Sequence, residues 1–85
     1  MYEEPPRQRL AKLLESVIEE RMHPMNAMKE VERWNDLPWE SHDVSVAVHA
    51  LARFHLDGDL RQKYPEYDED LKHNLRLLVS NLRYN

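Results

Sequence analysis

The sequence predicts an all-α fold: a small compact bundle of three longer helices and one short one, with the third helix central. The 85 residues contain a single glycine and few β-branched residues. The chain therefore has few of the residues that tight hairpin turns and strands need. Apolar side chains instead recur every three or four positions, in four segments divided by proline or glycine. The third of these segments is nearly all apolar, which predicts a helix in the middle of the bundle.

The first two segments predict a long helix followed by a short one. The first runs from about Pro6 to Met22, and proline suits its first turn because the missing N–H would have no partner there. His23 and Pro24 interrupt the pattern, since proline disfavours helical geometry in the residue before it. We expect the second helix to run from Pro24 to about Asn35.

The third segment, from about Trp39 to Asp57, decides the architecture. On a helical wheel, Leu56 extends an apolar arc so broad that we expect neighbouring helices on most sides. The arc consists of Val44, Ala47, Val48, Leu51 and Phe54. We expect Asp36 or Ser41 to cap the start of this helix and Gly58 to end it in a left-handed conformation.

The remaining chain predicts a brief turn and a final helix. Asp59 is expected to cap the turn, which ends at Tyr64, and the final helix is expected to run from Pro65 to about Arg83. Acidic residues in its first turns and basic residues after them complement the helix dipole. Its apolar stripe consists of Tyr67, Leu71, Leu75, Leu78, Val79 and Leu82. We therefore expect one helical domain over residues 1–85, with residues 1–5 disordered.

Composition narrows the classes of function. The absence of cysteine excludes disulfides and thiolate metal sites and favours a cytoplasmic location. Twelve basic and sixteen acidic side chains give a net charge of −4, which repels phosphates, so we expect no nucleic-acid partner. The longest apolar-rich stretch is far shorter than the roughly 20 residues that span a bilayer. We expect no membrane partner, and the acidic, proline-containing start predicts no secretory signal.

No catalytic signature is present, so we predict no enzymatic activity, no cofactor and no metal site. His55 is the one anomaly, because it lies on the apolar arc of the third helix. It is either a boundary residue bonded to a carbonyl or carboxylate, or a titrating switch or metal ligand with Asp57 and Asp59. That spacing matches no established metal loop. His42 and His49 are about 10 Å apart along the helix, too far to hold one ion.

Trp34 and Trp39 bracket the loop before the third helix. Both indoles can pack between the second helix and the third, where they would add buried apolar volume to a small core. Alternatively, one of them lines a recognition groove, because tryptophan is enriched in binding hot spots. The sequence leaves both interpretations open.

Two segments are candidates for binding a protein partner. The stretch from Asp57 to Asp70 has six carboxylates interleaved with two tyrosines, which fits either helix caps or a surface for a basic partner. In the last helix, Leu77 and Tyr84 are seven residues apart and form a second apolar line, away from the main stripe. Together with Val46 and Leu56, this line favours self-association or a partner surface.

The sequence therefore predicts a non-enzymatic, cytoplasmic protein-interaction module, with a homodimer as one form of it. The predicted interaction surface consists of Leu77, Tyr84, Tyr64, Tyr67, Asp68 and Glu69. One alternative is an antitoxin-like or immunity-like acidic inhibitor that covers a basic active site with Glu66, Asp68, Glu69 and Asp70. Another is a small metal-binding or ligand-binding protein that uses His55, Asp57 and Asp59, or a pocket beside the two tryptophans.

Overall fold

The computed structural model describes residues 4–84, which form five helices and no strand. The helices are α1 (Pro6–Ile18), α2 (Pro24–Arg33), α3 (His42–Leu56), α4 (Gly58–Lys63) and α5 (Pro65–Tyr84). The predicted all-α bundle is confirmed. Residues 1–3 of the segment predicted to be disordered lie outside the described range, while Glu4 forms an ion pair with Lys12 at 2.7 Å.

Helix α3 contacts each of the other four helices, which confirms its central position. Its buried residues are Val44, Ala47, Leu51 and Phe54, as the apolar arc predicts. The largest fully buried side chains come from α1, α3 and α5, and they are Leu10, Leu14, Leu51, Leu75 and Val44. Leu56, which extends the apolar arc on the helical wheel, is 78% exposed, so neighbouring helices do not cover that edge of the arc. One face of α3 therefore remains open to solvent.

Helices α1 and α5 run antiparallel. Near the start of α1, the Arg7 guanidinium donates to the carbonyls of Asn81 and Leu82, at 2.9 and 3.3 Å, near the end of α5. Just past the end of α1, the Glu20 carboxylate lies 3.5 Å from the Lys72 ammonium, in the first half of α5. The two helices thus pair along most of their length and close the bundle.

Helix α1 ends at Ile18, four residues earlier than predicted, because the chain leaves the helix through a Schellman turn. The N–H of Arg21 donates to the carbonyl of Ser16 at 2.8 Å, and the N–H of Glu20 donates to the carbonyl of Val17 at 3.1 Å. These bonds require a left-handed residue between them, and Glu20 has a φ of 61°. A glutamate thus occupies a position that usually belongs to glycine.

The prediction that Gly58 ends α3 in a left-handed conformation is wrong. Gly58 has no positive φ and is the first residue of α4. The brief turn predicted after it is this six-residue helix, with Asp59 in its first turn. Helices α3 and α4 are separated by Asp57 alone.

The starts of α2 and α3 differ from what the sequence predicts: α2 has a side-chain cap, and α3 has none. Ser41 occupies the N-cap position of α3, but its hydroxyl accepts a hydrogen bond from Arg7 at 3.2 Å instead of capping the helix. At α2, the Nδ1 atom of His23 accepts from the N–H of Met25 at 3.1 Å. His23 thus satisfies one of the helix donors that have no partner within the helix.

Candidate functional site

The clearest candidate surface is a line of exposed side chains along the outside of α5. Their spacing alternates between four and three residues, which keeps them on one face of a helix. This outer α5 stripe consists of Glu66, Asp70, His73, Leu77, Ser80 and Tyr84, and all six are exposed. Leu77 is 53% exposed and Tyr84 is 81% exposed.

The stripe has two chemically different halves. Its N-terminal half carries the carboxylates of Glu66 and Asp70, and its C-terminal half carries the apolar surface of Leu77 and Tyr84. The sequence presented these as two separate candidates, an acidic stretch and an apolar line. Because α5 is one uninterrupted helix of 20 residues, both lie on the same face of the protein.

The remaining residues of the predicted interaction surface divide into two groups. Tyr64 and Glu69 are exposed. Tyr64 precedes α5, and the Lys63 ammonium lies 5.6 Å from the centre of its ring. Glu69 is on α5 but lies beside the outer α5 stripe and not on it, because its side chain leaves the helix in a different direction from that of Leu77.

Tyr67 and Asp68 instead face the interior of the bundle. The Tyr67 hydroxyl donates to the Asp57 carboxylate at 2.5 Å. The Asp68 carboxylate accepts from Arg61 at 2.9 Å and lies 3.0 Å from the Lys72 ammonium. These contacts join α5 to the end of α3 and to α4. Both side chains thus already have internal partners, and their predicted role in binding stays a prediction.

The ion pairs of Asp68 shift the pKa values of the groups involved. Partial burial by itself would raise the pKa of Asp68, but hydrogen bonds from Arg61 and Lys72 outweigh this effect and hold the pKa below its usual value. The hydrogen bond to Asp68 raises the pKa of Lys72, and the nearby carboxylate of Glu20 adds to this. The carboxylate of Asp68 and the ammonium of Lys72 are therefore both charged at neutral pH.

We expect the Asp68→Asn variant to lose less stability than the natural chain when the pH falls from 7 to 3. Because the folded-state pKa of Asp68 is lowered, its stabilisation is present above the unfolded-state pKa, about 3.9, and is lost as the pH falls through the folded-state value. At pH 7, Asp68→Asn should lower the free energy of unfolding by about 1 kcal/mol. Urea denaturation at pH 7 and pH 3 should show a smaller difference for the variant than for the natural chain.

Asp70→Asn is the matched control, because Asp70 is exposed and lies on the same helix. We expect its acid dependence to follow that of the natural chain. Identical acid profiles for Asp68→Asn and the natural chain would contradict the lowered pKa of Asp68.

A cavity of about 330 Å³ lies at the end of the bundle where Asp68 is located. The connection from α1 to α2, the end of α3, α4 and α5 surround it. Its lining includes Val17, Glu20, Met22, Phe54, Arg61 and Lys72. Arg61 is held firmly, because its Nε donates to the carbonyl of Phe54 at 2.8 Å and its guanidinium carbon lies 3.6 Å from the centre of the Phe54 ring.

The histidines form no metal centre in the described part of the chain. His55 is half-buried, and its ring meets that of His23 edge-on, with 6.0 Å between the ring centres. His42 and His49 are exposed on α3. Across residues 4–84, no group of three or more histidine, aspartate and glutamate side chains is placed to hold a metal ion. His55, Asp57 and Asp59 thus do not form such a group.

The two tryptophans occupy different environments. Trp34 is buried, with the Arg9 guanidinium carbon 4.6 Å from the centre of its ring, as expected of a side chain that packs between helices. Trp39 is exposed. The open face of α3 carries a shallow groove that Val46, Ala50 and Leu56 help to line. Val46 and Leu56 thus lie together on a surface separate from the outer α5 stripe.

Comparisons of the chain with protein-family models, with curated proteins and with solved structures found no match. No helix between residues 4 and 84 has the length and apolar character needed to cross a membrane.

Proposed function

We propose that the protein is a non-enzymatic protein-interaction module and that the outer α5 stripe is its binding surface. The observation that carries this proposal is the placement of two exposed carboxylates and two large exposed apolar side chains along one face of a 20-residue helix. A single exposed leucine needs no explanation. Exposed apolar side chains aligned beside charged ones fit the apolar centre and polar rim of a partner surface.

The two halves of the stripe suit different parts of one partner. The carboxylates of Glu66 and Asp70 favour approach of a basic surface and increase the rate of association. Leu77 and Tyr84 supply the apolar area that holds the complex once water is excluded, and tyrosine is enriched at binding hot spots. A partner that fits the stripe therefore has lysine or arginine side chains beside an apolar depression.

A basic partner is favoured over a second copy of the chain. The stripe contains no lysine or arginine. If two stripes packed in parallel, the carboxylates of one copy would face those of the other. If they packed antiparallel, the carboxylates would face Leu77 and Tyr84. Neither arrangement pairs the acids with bases, so a homodimer through this face is the less favoured form of the proposal.

The acidic-inhibitor form of the proposal uses the same face. In it, Glu66, Glu69 and Asp70 cover the basic active site of a partner enzyme, whereas Asp68 is held by Arg61 and Lys72. Inhibition of this kind would weaken steeply with added salt, because screening acts on exposed charges. A cytoplasmic location, as expected from the absence of cysteine, belongs to the same proposal.

The test compares the natural chain with two double variants in capture experiments from the native lysate. Leu77→Asp with Tyr84→Ala should abolish retention of the partner, and Glu66→Lys with Asp70→Lys should weaken it at low salt. Lys29→Ala with Glu32→Ala, both exposed on α2, is the control and should retain the partner. Sedimentation equilibrium of the natural chain measures self-association in the same buffer.

Thermal melts establish that each variant is folded before capture is compared. Retention of the same partner by all variants would exclude the outer α5 stripe as the binding surface. A monomeric chain that retains no partner would remove the proposal altogether.

A further inference from the structure

The cavity at the end of the bundle has the size and lining of a small-molecule site. Its volume of about 330 Å³ is at the lower end of the roughly 300–1,000 Å³ that ligand pockets occupy. The apolar lining comes from Met22 and Pro24 and from the largely buried Val17 and Phe54. Polar groups enter from His23, Arg61 and Lys72. Apolar side chains beside a few converging charged groups are the usual construction of such a site.

The cations of this cavity are held in place and largely withdrawn from solvent. The Lys72 side chain is only 12% exposed, and the Arg61 side chain is 17% exposed. Asp68 lies between them and accepts from both. A single carboxylate thus pairs with two partly buried cations, which leaves one positive charge to be balanced by another group.

Glu20 balances that charge, and its exposed side chain can readily leave Lys72. Its side chain is 79% exposed and its carboxylate lies 3.5 Å from the Lys72 ammonium, farther than the 3.0 Å of Asp68. Its backbone has a φ of 61°, in the left-handed region that disfavours residues with a Cβ. This conformation belongs to the Schellman turn that ends α1, so glycine or asparagine can replace Glu20 without a change of backbone.

We propose that this cavity binds a carboxylate attached to a small apolar body and that the bound carboxylate replaces Glu20 on Lys72. With Glu20 turned into solvent, Arg61, Lys72 and Asp68 together carry one positive charge, which matches one carboxylate. The apolar body lies against Val17, Met22 and Phe54. Two sources offer this chemistry, a free aliphatic carboxylic acid and the C-terminus of an apolar peptide. The cavity is separate from the outer α5 stripe, so the inference stands independently of the proposed function.

The test is an NMR titration of the full 85-residue chain at constant ionic strength. The probes are sodium hexanoate, hexan-1-ol as its uncharged counterpart, and an apolar tetrapeptide with a free or an amidated C-terminus. Saturable amide shifts around the cavity are expected with hexanoate or the free peptide and not with hexanol or the amidated peptide. The tighter of the two carboxylates identifies the source.

Variants of Glu20 and Lys72 assign the binding to the named groups. Glu20→Gly removes the competing carboxylate, so carboxylate binding should tighten by about two- to fivefold, the fold-change of losing an exposed ion pair. Glu20→Asn, which tolerates the left-handed conformation without a charge, should tighten binding similarly. Lys72→Met should abolish saturable binding, whereas Lys63→Met, which removes an exposed cation that does not line the cavity, should leave it unchanged.

Equal responses to hexanoate and hexanol, or shifts spread over the whole chain, would overturn the inference. Unchanged affinity in both Glu20 variants would overturn it too. The Glu20 variants decide the question even if Lys72→Met fails to fold, because the exposed Glu20 side chain contributes nothing to the core.

Discussion

Replacing Leu51 by alanine should lower the free energy of unfolding by about 3 kcal/mol, within the range of roughly 2–5 kcal/mol for fully buried leucines. Leu51 is 0% exposed and lies on the helix that contacts all the others. Truncation removes its transfer free energy and leaves a void that the surrounding helices fill only in part. Small domains have about 5–15 kcal/mol of stability in total, so this single change should remove a large share of it.

Leu56→Ala on the same helix is the matched control, because it removes the same atoms from a side chain that is 78% exposed. Its effect should stay within about 0.5 kcal/mol, as is usual for surface positions. Urea denaturation followed by circular dichroism measures both variants under one set of conditions. Equal losses for the two would mean that Leu56 is also buried, for example in an oligomer through the open face of α3.

These two leucines also mark how far the sequence could predict the fold. Periodicity identified the helical segments and the buried face of α3, because burial on one face requires apolar residues every three or four positions. It placed Leu51 and Leu56 on the same apolar arc. Leu56 lies about 140° from Leu51 around the helix, at the edge of the arc. Whether that edge is buried depends on the positions of the neighbouring helices, which are set by contacts between distant parts of the chain.

Helix ends were harder to predict for a related reason. Glycine is the usual left-handed terminator, so Gly58 was the natural choice, yet Glu20 takes that conformation. At Ser41, a long-range bond from Arg7 replaces the expected cap. At Ser41 the local preference is outweighed by a contact with a residue far away in the sequence, which no local pattern records. At Glu20 the bonds of the Schellman turn are local, but the residue type gives no sign of them.

For the candidate site, the sequence predicted the exposed residues better than the inward-facing ones. Leu77 and Tyr84 fall off the main apolar stripe of α5, so their exposure follows from helical geometry alone. Asp68 looked like its exposed neighbours Glu69 and Asp70 because all are acidic and close in sequence. Its internal role depends on Arg61 and Lys72, which only the fold brings to it.

Replacing Arg7 by alanine should lower the free energy of unfolding by about 2 kcal/mol, since hydrogen bonds of charged groups contribute more than neutral ones. Its guanidinium joins three helices. It donates to the carbonyls of Asn81 and Leu82, to the Ser41 hydroxyl at 3.2 Å and to the Asp43 carboxylate at 3.1 Å. The two carbonyls lie in the last turn of α5, where no intrahelical donor is available. Partial exposure of the arginine keeps the expected loss below that of a fully buried pair.

Hydrogen exchange tests this assignment more sharply than stability alone. In Arg7→Ala, amide exchange should accelerate most at the last turn of α5 and the first turn of α3, because both lose their contact with α1. Arg7→Lys keeps the charge but loses the planar fork, so we expect an intermediate effect. Arg33→Ala is the control, because its ion pair with Glu30 is exposed and should contribute less than about 1 kcal/mol. If Arg7→Ala accelerated exchange evenly along the chain, Arg7 would contribute to global stability without joining these particular helix ends.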